Sequence, residues 1–142
     1  MCHAFAQKML IVQKFIAWYR SFCNANVRRG KRGERVASRF LRRNGFRILD
    51  KNWRYGRYEL DAVAEKQGCI VFVEVRGRTL DSLQSGFDSV GYKKKRAIKQ
   101  AACAYRRLHP WIKIYRFDII SIDWTNEGKI KALNHYENVA MN

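Results

Sequence analysis

Four things are in short supply in this sequence: paired cysteines, histidines, uninterrupted apolar runs and acidic residues. Cys2, Cys23, Cys69 and Cys103 include no C-x-x-C pair, and His3, His109 and His135 are scattered. The ligand spacing of a structural zinc site is therefore missing, and such thiols read as reduced cysteines, most of them small core hydrophobes. Lys8, Lys14 and Arg20 interrupt the most hydrophobic segment, so no stretch reaches the roughly 18 apolar residues that span a bilayer. The apolar run before Lys14 is too short for a secretory signal, with no small-residue cleavage site after it. A cytoplasmic location is the resulting expectation.

The shortage of acids matters most. Only 12 Asp and Glu stand against 29 Lys and Arg, a net charge of +17 in 142 residues, with a pI near 10.2. A polyanion is the partner such a balance suggests: nucleic acid first, because neutralised phosphates release condensed counterions, and anionic lipid second. The charge is also concentrated. Residues 28–57 hold twelve Lys and Arg against Glu34 and Asp50, and residues 91–116 hold nine with no acid. Those two segments together exceed the net charge of the whole chain. Their cations make the candidate nucleic-acid-binding set: Arg28, Arg29, Lys31, Arg32, Arg35, Arg54 and Arg57, then Lys93, Lys94, Lys95 and Arg96, with Arg78 between the segments. Trp53, Tyr55, Tyr58, Tyr92, Tyr105, Trp111 and Tyr115 lie among them, as rings that stack on bases or fill the core.

With 47% hydrophobic and 29% charged residues, the chain has ordinary globular usage and a length that suits one domain plus an extension. Residues 1–27 carry Phe5, Met9, Ile11, Val12, Phe15, Ile16, Tyr19 and Phe22 at helical spacing. They read as an N-terminal helical extension that packs on the domain or on a second copy in a homodimer. The domain proper is assigned to residues 28–142. Val36, Ala37, Phe40 and Leu41 recur as on a helix that Gly45 stops. Strand signals follow at 46–54, 57–65 and 69–76, the first pair a hairpin turned at Gly56. Loop residues across 80–91 precede a helix over 92–108 that Pro110 ends, then a strand near 115–123 and a weaker one over 129–137. The order is α-β-β-β-α-β with a last weak strand, an α/β domain with a central mixed sheet of four to five strands flanked by helices.

Against this basic background a few strand carboxylates stand out. Alternation places Glu59 and Asp61 on one face of their strand, and Glu74 and Arg76 on one face of theirs. A carboxylate inside a run as apolar as Ile70 to Val75 costs several kcal/mol if desolvated and unpaired, so it must meet a cation, a metal or water. Two carboxylates from neighbouring strands suit a hard cation such as Mg²⁺ or Mn²⁺, which polarises a phosphodiester and activates water. On spacing alone, a salt bridge of Glu74 or Asp61 with Arg76 or Arg78 accounts for them equally well.

Asp61, then twelve residues, then Glu74-Val75-Arg76 resembles the D…(D/E)-x-K signature of restriction-endonuclease-like nucleases. More closely, four ordered blocks resemble the YraN family of small proteins, similar to archaeal Holliday junction resolvases. The blocks are Gly33 to Ala37, Tyr58 to Ala64, Val71 to Arg78 and Arg116 to Ile119, within a span from Gly33 to Asp123. The resemblance implies a restriction-endonuclease-like fold, Asp61 and Glu74 as metal ligands, Glu34 on the first domain helix as a further ligand, and Arg76 in the place of the assisting lysine. Two positions depart from the pattern: Tyr58 stands where glycine is usual, and Arg76 where lysine is usual. Arginine keeps the charge and can clamp phosphate, but it holds its proton too tightly to act as a general base.

The expectation from all of this is a Mg²⁺- or Mn²⁺-dependent endonuclease that hydrolyses DNA, branched DNA included, through Asp61, Glu74, Arg76 and Glu34, with DNA ahead of RNA as partner. The alternative is a nuclease-fold module that only binds nucleic acid. A membrane-surface or protein-partner role for residues 1–27 ranks third, since it leaves the strand carboxylates unexplained.

Overall fold

A computed structural model describes residues 28–79 and 91–141; the extension expected over 1–27 and most of the loop expected over 80–91 lie outside those residues. Helix α1 covers residues 28–43. Strands β1 (Arg47–Tyr55), β2 (Tyr58–Lys66) and β3 (Cys69–Thr79) follow, then α2 (Tyr92–Leu108), β4 (Tyr115–Trp124) and β5 (Ile130–Tyr136). The five strands form one sheet in chain order. All neighbours are antiparallel except β3 and β4, which are parallel because α2 lies between them in the chain as the crossover. The fold is α/β and restriction-endonuclease-like, and the weak strand expected over 129–137 is present as β5.

Local chemistry places the ends. Gly45, at φ +80°, ends α1: its N–H donates to the Arg42 carbonyl, and that of Phe46 to the Leu41 carbonyl. This is the Schellman pattern, and both Phe46 and Leu41 are buried in the same core cluster. Gly56, at φ +58°, turns β1 into β2. At Gly77 the need is steric, since a Cβ there would sit 2.8 Å from the Trp124 indole nitrogen.

The sheet has two buried faces. On one, α1 lays Ala37 and Leu41 over Val71, Val73, Ile120, Ile122 and Trp124. On the other, α2 lays Ile98, Ala101, Ala102 and Tyr105 over Val63, Ile70, Phe72 and Ile119. Cover on both sides explains why Ile70 to Val73 are apolar at every position rather than at alternate ones. Tyr105 donates its hydroxyl to Asp50 on β1, tying α2 to the sheet edge. Two expectations need correcting. Cys103 is exposed on α2 and Cys69 half-buried, so the described cysteines are not core hydrophobes.

Strict alternation along β2 also fails. Leu60 and Val63 both join the α2-side core while Ala62 and Ala64 join the α1-side core, so the face inverts across Asp61. The partner strand β1 carries the compensating irregularity, with a register shift between Ile48 and Asp50 and a left-handed Asn52 at φ +51°. Glu59 and Asp61 consequently go to different places.

Candidate active site

The β2–β3 ladder runs from Lys66 opposite Cys69 to Ala62 opposite Val73 and ends there. Where the next pair would form, the Asp61 side chain takes over: its Oδ2 accepts the Val75 N–H at 2.8 Å. That contact stands Asp61 beside Glu74. Glu74 shares the parity of Ile70 and Phe72, so it lies on the α2 side of β3 and is only 3% exposed. Burial, and then the negative charge of Asp61, push its carboxyl up to about 7, against the opposing pull of Lys94 and Arg76.

Both cations reach the same oxygen. Lys94 Nζ, from the first turn of α2, lies 3.1 Å from Glu74 Oε1, and Arg76 Nε lies 3.3 Å from it. The salt bridge weighed as one account of the strand carboxylates is thus present, yet it does not return Glu74 to ordinary acidity. Among the described residues, contacts with Glu74 fall on Oε1 and the contact with Asp61 on Oδ2, which leaves one oxygen of each carboxylate for a cation. Two neighbouring hard oxygen donors suit Mg²⁺ or Mn²⁺, ions commonly held by one or two carboxylates with water and substrate phosphate completing the shell. Two buried polar atoms lack a hydrogen bond beside the pair, Arg76 Nε and, in register with Arg76 on β4, Ser121 Oγ. Both belong to the same polar end of the sheet.

Glu34 goes elsewhere. It sits on α1, which packs on the other face of the sheet, and lines a groove with Lys31, Arg35, Asn52, Arg54 and Glu59. Among the described residues no three His, Cys, Asp or Glu side chains gather as a metal cage would require. The structure therefore joins Asp61, Glu74 and Arg76 but groups Glu34 with Glu59, whose carboxylate takes the Arg54 guanidinium at 2.8 Å.

The basic residues divide in the same way. Arg78 is held by Asp123 on β4, and Arg32 donates to the Gly128 carbonyl at 2.7 Å with its guanidinium over the Trp124 ring. Those two serve the fold. Arg28, Lys31, Arg35, Arg57, Lys93 and Arg96 are exposed and meet no carboxylate among the described residues, whereas Arg29 and Lys95 are half-buried. The position of Lys94 at the carboxylates is the one site feature that the reading of basic segments missed. It lies twenty positions after Glu74, and no local pattern marks which lysine of the run turns inward.

Comparison with known proteins adds the family. The model of "Uncharacterised protein family UPF0102" matches residues 33–122. The chain belongs to this family. A UPF0102 protein of Porphyromonas gingivalis is 38% identical over 110 residues, covering 78% of this chain and 82% of that one. Relatives from Nitratidesulfovibrio vulgaris and Myxococcus xanthus, named in the same way, are 36% and 39% identical over 107 residues; these cover 75% of this chain, and 78% and 83% of theirs. UPF0102 is the YraN family whose four blocks the sequence carries. The matched span holds Asp61, Glu74, Arg76 and Lys94, and it stops short of β5.

Proposed function

We propose that this UPF0102 chain is a nucleic-acid-binding, metal-dependent phosphodiesterase acting on DNA. The observation that carries the reading is Glu74: a carboxylate buried beside a second carboxylate, raised to about 7, with two cations held to one of its oxygens. Both oxygens of the structural carboxylate Asp118 accept hydrogen bonds, whereas the contacts of Glu74 among the described residues fall on one oxygen. Asp61 and Glu74 would hold Mg²⁺ or Mn²⁺, which when bound supplies Lewis acidity to the phosphate and a lowered pKa to water. Arg76 uses its Nε toward Glu74, so its two terminal nitrogens stay available to clamp phosphate oxygens. Lys94 contributes a compact positive charge at the carboxylates, 3.1 Å from Glu74 Oε1. The exposed cations of α1 and of the first turn of α2 supply the backbone attraction. No acid stands in that first turn to complement the helix dipole, and a phosphate would do so.

The test is cleavage of linear, single-stranded and four-way-junction DNA with Mg²⁺ or Mn²⁺, by wild type and by Glu74→Gln. Expected is metal-dependent hydrolysis that falls at least about a hundredfold in the variant. Failure of wild type to cut any DNA or RNA topology with either ion overturns it. Arg76 in the usual place of lysine favours a second reading, a module that binds without cutting. That reading expects salt-sensitive binding that survives Asp61→Ala in a chain without hydrolytic activity.

A further inference from the structure

A groove of about 390 Å³ runs beside α2, and neither Asp61 nor Glu74 lines it. Tyr92, Arg96, Lys99, Cys103 and Arg107 follow one another at intervals of three and four residues, so they form a single stripe along the helix. All five are exposed. Tyr58, at the end of the β1–β2 hairpin, lines the groove with them. The stripe is cationic without relief, because α2 contains no acidic residue, and Arg96, Lys99 and Arg107 meet no carboxylate among the described residues. It is also aromatic at one end, where Tyr92 is 69% exposed. From Arg96 to Arg107 the helix rises about 16 Å, enough for a run of several phosphates.

Cations alone would suit any phosphate backbone, but an exposed ring inside the groove narrows the occupant. In a duplex the faces of the bases are already stacked on their neighbours; only an unpaired strand can lay a base on a tyrosine. Lys94, two positions from both Tyr92 and Arg96, leaves α2 on the opposite, sheet-facing side and points to Glu74, so the stripe and the carboxylates lie on different sides of the helix.

The geometry points to this groove as the binding site for an unpaired nucleic-acid strand, with phosphates along Arg96, Lys99 and Arg107 and a base on Tyr92. The inference rests on the nucleic-acid reading above and sharpens it, making a single-stranded segment part of the substrate. Fluorescence anisotropy without divalent metal, so that nothing is cut, compares a labelled single-stranded 20-mer with its duplex. Tyr92→Ala is expected to weaken the single strand about tenfold and the duplex less than twofold, while Tyr92→Phe keeps both. Arg96→Gln with Lys99→Gln should flatten the single-strand salt dependence by about 1.4 in log–log slope. Oligothymidylate should also slow alkylation of Cys103, read by mass spectrometry. If Tyr92→Ala leaves single-strand binding intact, or weakens both forms equally, the groove assignment falls while the nucleic-acid reading stands. If wild type binds neither form, both fall.

Discussion

Glu74 and Asp118 are two buried carboxylates on adjacent parallel strands, one residue apart in register and facing opposite sides of the sheet. Asp118 is fully buried and surrounded by donors: the Arg116 guanidinium at 3.1 Å, His135 Nε2 at 2.8 Å and the Asn138 N–H at 3.0 Å. Arg116 and His135 both continue to Glu137, at 2.8 and 3.8 Å, and although Arg116 Nε makes no hydrogen bond, both oxygens of Asp118 accept one. Glu74 has two cations on one oxygen and a second carboxylate beside it. The contrast separates scaffold from candidate chemistry. A buried charge that is fully answered fixes structure, here the return of the chain after β5 against β4, while one left partly unanswered stores a preference for losing its charge or gaining a cation.

The hardest strain on that contrast is to remove each carboxylate in turn. Asp118→Ala removes the buried acceptor shared by Arg116, His135 and the Asn138 N–H, leaving only the exposed Glu137 to the two side chains, and should cost about 3–5 kcal/mol in denaturant unfolding. Glu74→Gln should do the reverse. Because the folded carboxyl is raised above its unfolded value, its contribution to stability is fully present below about pH 4.5 and is lost as pH rises through about 7. Metal-free wild type should therefore fall behind Glu74→Gln by up to about 3 kcal/mol between pH 4.5 and 8. Equal pH profiles for the two proteins would remove the distinction between Glu74 and Asp118.

Divalent metal offers a somewhat smaller test. If Glu74 and Asp61 share Mg²⁺ or Mn²⁺, saturating ion at pH 8 should stabilise wild type by about 2–3 kcal/mol at a hundredfold excess over Kd, and do so less at pH 6, where Glu74 holds its proton. Thermal unfolding of wild type, Glu74→Gln and Asp118→Asn with Mn²⁺ reads this directly. A shift that persists in Glu74→Gln would place the ion elsewhere.

The difference between the two carboxylates was only half legible in the sequence. The apolar run from Ile70 to Val75 marks β3 as covered on both faces, and that makes the cost of Glu74 readable in the sequence. The pairing of Glu74 with Arg76 follows from their shared parity. By contrast, the inversion of face across Asp61 depends on the left-handed Asn52 one strand away, and an alternation rule cannot see across a hairpin. Helical spacing shows which side of α1 carries Glu34 but not which face of the sheet that helix covers, so its separation from Asp61 and Glu74 is a property of topology. The saturation of Asp118 rests on His135 and Asn138, 17 and 20 residues further along and brought back by β5.

The smallest effect expected is also the most discriminating between neighbours. Lys93 and Lys94 are adjacent in the first turn of α2, yet only Lys94 reaches Glu74, while Lys93 is exposed. Lys94→Gln removes one of the two cations that pull the Glu74 carboxyl down, so its titration, followed by carboxyl ¹³C NMR, should move above about 7. Lys93→Gln should leave that titration in place and instead reduce the salt slope of DNA binding by about 0.9, the loss of one phosphate contact. If both variants moved the slope and neither moved the titration, Lys94 would be one more backbone cation, and Glu74 would lose the counter-charge that distinguishes it from an ordinary buried acid.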